Sequence, residues 1–165
     1  MEIYYMRLQK KNSDINFVGI EVYKHGVGKL LKKIIQTNIK NINVINDDAN
    51  EILEKNIEDN SVKGISIFFP DPWPKKKHKK RRLINEEFVK NLDKITLKYS
   101  EILIATDDED YSNQILKSFS KLNLFKLLLK TSDNQIFEDY KIYPTKYFRK
   151  AKRENRRINL FIYQK

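Results

Sequence analysis

Apolar and polar positions fall in blocks along the chain, and the period of the blocks switches between strand-like and helix-like. Residues 15–20, Ile-Asn-Phe-Val-Gly-Ile, read as a strand that ends in Glu21. Val27, Leu30, Leu31, Ile34 and Ile35 then recur at helical spacing, with lysines on the opposite face. A second short strand, Ile42-Asn43-Val44-Ile45, ends near Asp47 and Asp48, and a short helix is expected over 49–57. The apolar run Ile65 to Phe69 predicts a third strand that ends at Asp71. Phe88, Leu92 and Ile95 mark a helix. Ile102 to Ala105 mark a strand running into Thr106-Asp107-Asp108, and Tyr111, Ile115 and Phe119 mark a further helix. Two last apolar runs, Leu122 to Leu129 and Ile158 to Tyr163, are expected to pair as a hairpin.

Strands that alternate with helices predict an α/β domain, a mostly parallel sheet with helices on both faces. Ligands of such sheets bind beyond the carboxyl ends of the strands. Glu21, Asp48, Asp71 and Asp107 all fall at those ends, so one edge of the sheet is expected to be lined with carboxylates. Asp47 and Asp48 precede a helix, and capping or ligand binding accounts for them equally well. Asp71 is followed by Pro-Trp-Pro rather than by a helix, which makes capping a poor account of it. Glu21 suits the hydroxyls of a ribose.

Composition places these elements in one domain spanning residues 1–165, with 40% hydrophobic and 12% aromatic residues to build a core. The absence of cysteine excludes disulfides and thiolate metal sites, and the two histidines, His25 and His78, stand far apart, so no metal is expected. No apolar run approaches the length of a membrane span and no signal peptide is visible, so a cytoplasmic protein is expected.

The net charge of +11 is unevenly placed. Residues 75–82 carry seven cations and no acid. Residues 146–157 carry seven cations, Lys146, Arg149, Lys150, Lys152, Arg153, Arg156 and Arg157, against the single acid Glu154. Taking those two segments away from the 33 basic and 22 acidic residues leaves 19 and 21, so the whole excess resides in them. Brought together, they would form one surface for a phosphate backbone.

The most informative stretch is residues 68–82, Phe-Phe-Pro-Asp-Pro-Trp-Pro-Lys-Lys-Lys-His-Lys-Lys-Arg-Arg. Prolines fix φ and bias the preceding residue toward extended backbone, so the turn that holds Asp71 is stiff. The only tryptophan, Trp73, follows directly; it is as well suited to packing as to stacking on a base. A polybasic run alone is usually solvated surface. Its junction with a strand and a rigid acid points instead to a site that grips a polyanion and works on a base.

At these residues the chain resembles the tRNA (guanine-N7)-methyltransferases. The matching pieces are Phe17 to Val22, His25-Gly26-Val27-Gly28, Asp48-Ala49, Phe68 to Arg82, Ala105-Thr106-Asp107 and Pro144-Thr145-Lys146-Tyr147. The resemblance implies a Rossmann-like fold and transfer of methyl from S-adenosylmethionine to N7 of a guanosine in the variable loop of tRNA. It implies cofactor binding by Glu21, Asp48 and Asp71, with Asp71 also catalytic. It implies substrate contacts at Lys75, Asp107, Thr145, Lys146, Tyr147 and the position of Phe148. Two departures stand out. Phe148 occupies a position where the family has Glu. The family's first strand and its Glu-x-Gly-x-Gly loop also have no counterpart, since only fourteen residues without glycine, resembling the remains of a first helix, precede the strand of Glu21. A domain incomplete at its N-terminus is therefore expected, with a noncatalytic RNA-binding remnant as the alternative reading. A general DNA-binding domain is the weaker third, since no recognition-helix arrangement accompanies the basic runs.

Overall fold

The computed structural model describes residues 14–139 and 145–165. The segment resembling the remains of a first helix, up to residue 13, and Pro144 of the Pro-Thr-Lys-Tyr match lie outside the described residues. The strands are β1 (Phe17–Ile20), β2 (Ile42–Ile45), β3 (Val62–Phe68), β4 (Thr96–Thr106), β5 (Lys126–Thr131) and β6 (Asn159–Gln164). The helices are α1 (Lys24–Thr37), α2 (Ala49–Lys55), α3 (Glu86–Ile95), α4 (Glu109–Leu122), α5 (Asn134–Asp139) and α6 (Lys146–Arg153), with a 3-10 helix at Lys76–Arg81. Strands and helices alternate as the sequence pattern predicts.

The helix boundaries follow from local chemistry. Asn85 starts α3 by accepting a hydrogen bond from the Phe88 N–H, and Asp108 starts α4 by accepting one from the Tyr111 N–H. Asn38 and Asn123 end α1 and α4 in the left-handed region, which asparagine tolerates better than most residues.

β1 and β2 form a parallel pair, and the other four strands form a sheet in the order β3-β4-β6-β5. β3 and β4 are parallel, whereas β6 runs antiparallel to both β4 and β5. The sheet is thus mixed: parallel where strands alternate with helices, antiparallel where the expected C-terminal hairpin closes it. Among the described residues no ladder joins β1 to β3.

β4 is the backbone of the core. Its residues alternate faces with those of β6: Ile102 opposes Tyr163 and Ile104 opposes Phe161, while Leu103 opposes Ile162 and Ala105 opposes Leu160. The first set packs with Phe88, Val89 and Leu92 of α3 and with Tyr111, Ile115 and Phe119 of α4. The second packs with Phe137 of α5, Ala151 of α6 and Ile158. Both faces of this sheet are therefore covered by helices, as expected. Phe119 stacks on Tyr163 with ring centroids 3.9 Å apart.

Ile104 is fully buried between two ladders, where no neighbour can collapse into a vacated volume without breaking register. Ile104→Ala is expected to cost about 2–5 kcal/mol, read as a lower urea midpoint with an unchanged slope.

Candidate nucleic-acid and cofactor site

The direction of each strand decides where the charged segments emerge. β3 runs toward Asp71, so the basic run 75–82 leaves from the carboxyl edge of the parallel strands. β6 runs the other way, with Asn159 opposite Thr106, so its N-terminal end lies at the same edge. The helix that feeds β6 is α6, the second basic segment. The two halves of the charge excess thus meet at one end of the sheet, and aromatic contacts join them: Phe69 lies 6.3 Å from Tyr147, ring centroid to ring centroid, and 6.5 Å from Phe148.

Cations at this edge divide into two sets. Some are held by acids. Lys79 pairs with Asp110 at 2.7 Å, and Arg156 pairs with both Asp107 and Glu154. The others, Lys75, Lys76, Lys77, Lys80 and Arg81 on the first segment and Lys146, Arg149, Lys150, Lys152, Arg153 and Arg157 on the second, are exposed and pair with no acid among the described residues. Lys146, Tyr147, Arg149, Lys150 and Arg153 line a shallow groove along α6. Exposed cations without counter-ions on both sides of an acid loop suit a polyanion.

The carboxylates expected at the strand ends stand in different environments. Glu21 Oε1 accepts from the Tyr23 N–H at 3.1 Å, and the Glu21 main-chain carbonyl accepts from Asn46 Nδ2 at 2.6 Å. Asp48 is the N-cap of α2 and accepts from the Asn50 N–H through Oδ1 at 2.8 Å. Capping thus explains one oxygen of Asp48. Oε2 of Glu21, Oδ2 of Asp48 and both oxygens of Asp71 accept no hydrogen bond from the described residues. Asp71 itself is exposed. Asp107, one position before the cap of α4, is engaged by Arg156.

The expected substrate residues on α6 separate as well. Thr145 is buried and its hydroxyl caps α6 by accepting from the Phe148 N–H at 3.1 Å. Phe148 packs edge-on against Phe137 at 5.2 Å and joins the second core cluster, which accounts for an apolar residue at this position. The side chains this turn leaves accessible are Lys146 and Tyr147, with the Lys146 ammonium 4.8 Å from the Tyr147 ring centroid. Lys75 is exposed at the start of the basic segment.

Around Asp71 the backbone is unusual. Phe69 and Trp73 both adopt positive φ, 54° and 42°, without being glycine. Each such residue costs about 1–2 kcal/mol relative to ordinary backbone. The Phe69 N–H donates to the Ala105 carbonyl at 2.8 Å, which extends the β3–β4 ladder into the turn. The Pro72 carbonyl accepts from Nε of Arg82 at 2.6 Å. Arg82 is the buried member of the basic run: Nη1 donates to Gln114 Oε1 at 2.9 Å, and Nη2 lies 2.7 Å from Asp110. Arg81 lies over the Trp73 ring at 5.1 Å, and His78 meets the ring edge-on. Spacing alone gave no sign of these roles. The one available hint is that Arg82 is followed by Leu83-Ile84, where the chain turns inward.

A methyltransferase architecture emerges from the comparisons. The chain matches over residues 3–160 a protein-family model described as "Putative methyltransferase". It is similar, at 14% identity and a TM-score of 0.60, to the crystal structure of an rRNA methylase from Streptococcus thermophilus, covering 91% of this chain and 73% of that one; at this identity the likeness concerns the fold. The curated relatives narrow the class. A tRNA (guanine-N(7)-)-methyltransferase of Wolbachia pipientis wMel is 43% identical over 90% of this chain and 63% of its own length. One from Legionella pneumophila (strain Lens) is 47% identical over 66% and 48%. The chain belongs to the tRNA (guanine-N7)-methyltransferase family. It spans about half to two thirds of the length of these relatives.

Tyr111, at the base of the site, gives a pH signature. Burial pushes its phenol up to about 12; the bond from the Ile84 N–H and the charge of Arg82 oppose the rise, and the charge of Asp71 adds to it. The folded state keeps a proton that the unfolded chain loses near the ordinary value of 10. This stabilisation is complete below that value and is lost as pH rises through the folded value. Burial raises Tyr163 too. Urea midpoints are therefore expected to fall between about pH 9 and pH 11.5, and Tyr111→Phe is expected to flatten that fall while lowering the midpoint at neutral pH, where it loses the bond to Ile84.

Proposed function

We propose that this chain carries out methyl transfer from S-adenosylmethionine to N7 of a guanosine in the variable loop of tRNA, as a single cytoplasmic methyltransferase domain. The observation that carries the reading is the placement of a rigid, unpartnered acid, Asp71, between two groups of unpaired cations at one sheet edge. The names of the curated relatives support the same substrate and reaction.

The fit of the cofactor rests on the open carboxylate oxygens of Glu21, Asp48 and Asp71. Ribose hydroxyls, an exocyclic amine and a sulfonium are donors or cations, so acceptors with free lone pairs suit them. When bound, S-adenosylmethionine supplies the methyl group on a positively charged sulfur. N7 of guanine has an exposed lone pair and no proton, so the chain need not supply a general base. Transfer from that sulfur to N7 would leave the positive charge on the purine, which is where the chain's acids would act. Asp71 and Asp107 are the acids placed to meet that charge and to accept from guanine N1–H and N2–H. In this reading Lys75, Lys146 and Tyr147 contact the RNA, with Thr145 holding the turn that presents them and Phe148 seating it on the core. The cations hold phosphates and set the register without reading sequence.

Two measurements test this. Replacing Lys76, Lys77 and Lys80 with Gln is expected to weaken tRNA binding and to lower the slope of log affinity against log salt by about 0.7–0.9 per lost contact. An unchanged slope in filter binding would remove the basic segment from the interface. Asp71→Asn keeps shape and removes charge; 7-methylguanosine counted by mass spectrometry is expected to fall on the order of 10²-fold or more, with tRNA affinity little changed. Near-normal product would take Asp71 out of catalysis, and tRNA binding with no product from the unsubstituted chain would favour a noncatalytic RNA-binding remnant.

A further inference from the structure

We propose that Arg82 is a positioning residue: through the Pro72 carbonyl it locks the loop that presents Asp71 onto the N-terminal turn of α4. Its catalytic meaning rests on the function proposed above, whereas the lock itself is a matter of geometry.

The loop between β3 and the 3-10 helix is stiff in most of its torsions. Pro70, Pro72 and Pro74 fix their own φ and restrict the residues before them. The joints left open between the prolines are the Pro70–Asp71 and Pro72–Trp73 peptides, and the plane of the second depends on ψ of Pro72 and φ of Trp73. The second of them is in a disfavoured state, with Trp73 at φ 42°; Phe69, at φ 54°, is held by its own bond to the Ala105 carbonyl. Rotation of this peptide to relax Trp73 would swing the Pro72 carbonyl, one residue from Asp71, away from its donor. The donor is Arg82 Nε at 2.6 Å.

Arg82 can hold that carbonyl because the rest of its guanidinium is held. Nη1 donates to Gln114, Nη2 sits 2.7 Å from Asp110 and 3.8 Å from Asp108, and the guanidinium carbon lies 4.8 Å from the Tyr111 ring centroid. Gln114 in turn donates to the Ile84 carbonyl at 3.1 Å, and the Tyr111 hydroxyl accepts from the Ile84 N–H at 2.8 Å. Every anchor except the loop carbonyl and Ile84 belongs to α4 or its cap. The side chain is 1% exposed, in a run whose other cations reach solvent. A lysine could reach one of these partners at a time, whereas the planar fork of arginine reaches Pro72 and Gln114 by hydrogen bonds and Asp110 by charge together, Nη2 making no hydrogen bond of its own. Asp108 also caps α4 directly after Asp107, so the same anchor ties the loop of Asp71 to the segment that carries Asp107.

Trp73, the only tryptophan, reports on this joint directly. In the full chain, Arg82→Gln is expected to red-shift its emission and raise its acrylamide quenching constant, with the far-UV circular dichroism of the parent. Arg82→Lys is expected to restore little. Unchanged Trp73 emission and quenching in folded Arg82→Gln would overturn the proposal. Should that variant not fold, Asp110→Asn decides. It removes an exposed anchor, and it must shift Trp73 in the same direction or the proposal fails. In tRNA methylation assays, Arg82→Gln is expected to lower kcat on the order of 10²-fold with KM for tRNA held. A Trp73 response in a chain without methylation would leave the lock standing and overturn the function; methylation with an unresponsive Trp73 would do the reverse.

Discussion

The antiparallel ladder between β4 and β6 is the interaction on which the rest of the structure depends. Six register pairs, from Glu101 with Gln164 to Thr106 with Asn159, hold β6 on the free edge of β4. Had the last strand been parallel to β4, its N-terminal end, and the basic helix before it, would lie at the opposite end of the sheet. Reversal places α6 beside Phe69 and the acid loop. The same ladder sorts Ile102, Ile104, Phe161 and Tyr163 to one face and Leu103, Ala105, Leu160 and Ile162 to the other, so it builds both cores at once. Period-two burial on both faces makes a register slip costly, since it would exchange the two sets of side chains.

Charge in this protein serves two ends that composition merges. Lys79, Arg82 and Arg156 are committed to Asp110, Asp108 and Asp107, and they fasten the ends of β3, β4 and α6 to one another. Exposed pairs of this kind contribute little to stability individually. The interaction centred on Arg82 differs because its donors are buried, and a charge-assisted hydrogen bond in such a place is worth about 1.5–3 kcal/mol. The cations left over face solvent on either side of Asp71. Unpaired cations held close together repel one another, and a phosphate backbone relieves that repulsion.

The acids at the carboxyl edge divide in the same way. Asp48 and Asp108 cap helices, Asp107 is drawn toward Arg156, and Asp71 is left open between prolines. An acid that spends neither oxygen on its own fold can respond fully to a developing positive charge. The positive φ values of Phe69 and Trp73 show what holding it there costs the backbone, and the β3–β4 ladder bond at Phe69 and the guanidinium of Arg82 offset that cost.

How much of this could be read from the chain follows from the range of the forces involved. The alternation of strands and helices, the capping residues Asn85 and Asp108 and the stiffness around Asp71 are local, set by residues within a few positions of one another, and the sequence by itself determined them. So was the concentration of the charge excess in two segments, because charge counts need no fold. Which cations stay free was beyond reach, because Lys76 and Lys79 are alike in sequence, and it is the approach of Asp110, thirty-one residues beyond Lys79, that separates Lys79 and Arg82 from the rest of their run. The core role of Phe148 required Phe137 and Phe69 to meet it from different elements. Above all, the meeting of the two basic segments depended on β6 pairing directly with β4: the expected hairpin makes β6 antiparallel to β5, but which strand takes its other edge is decided by long-range pairing, which no local pattern encodes.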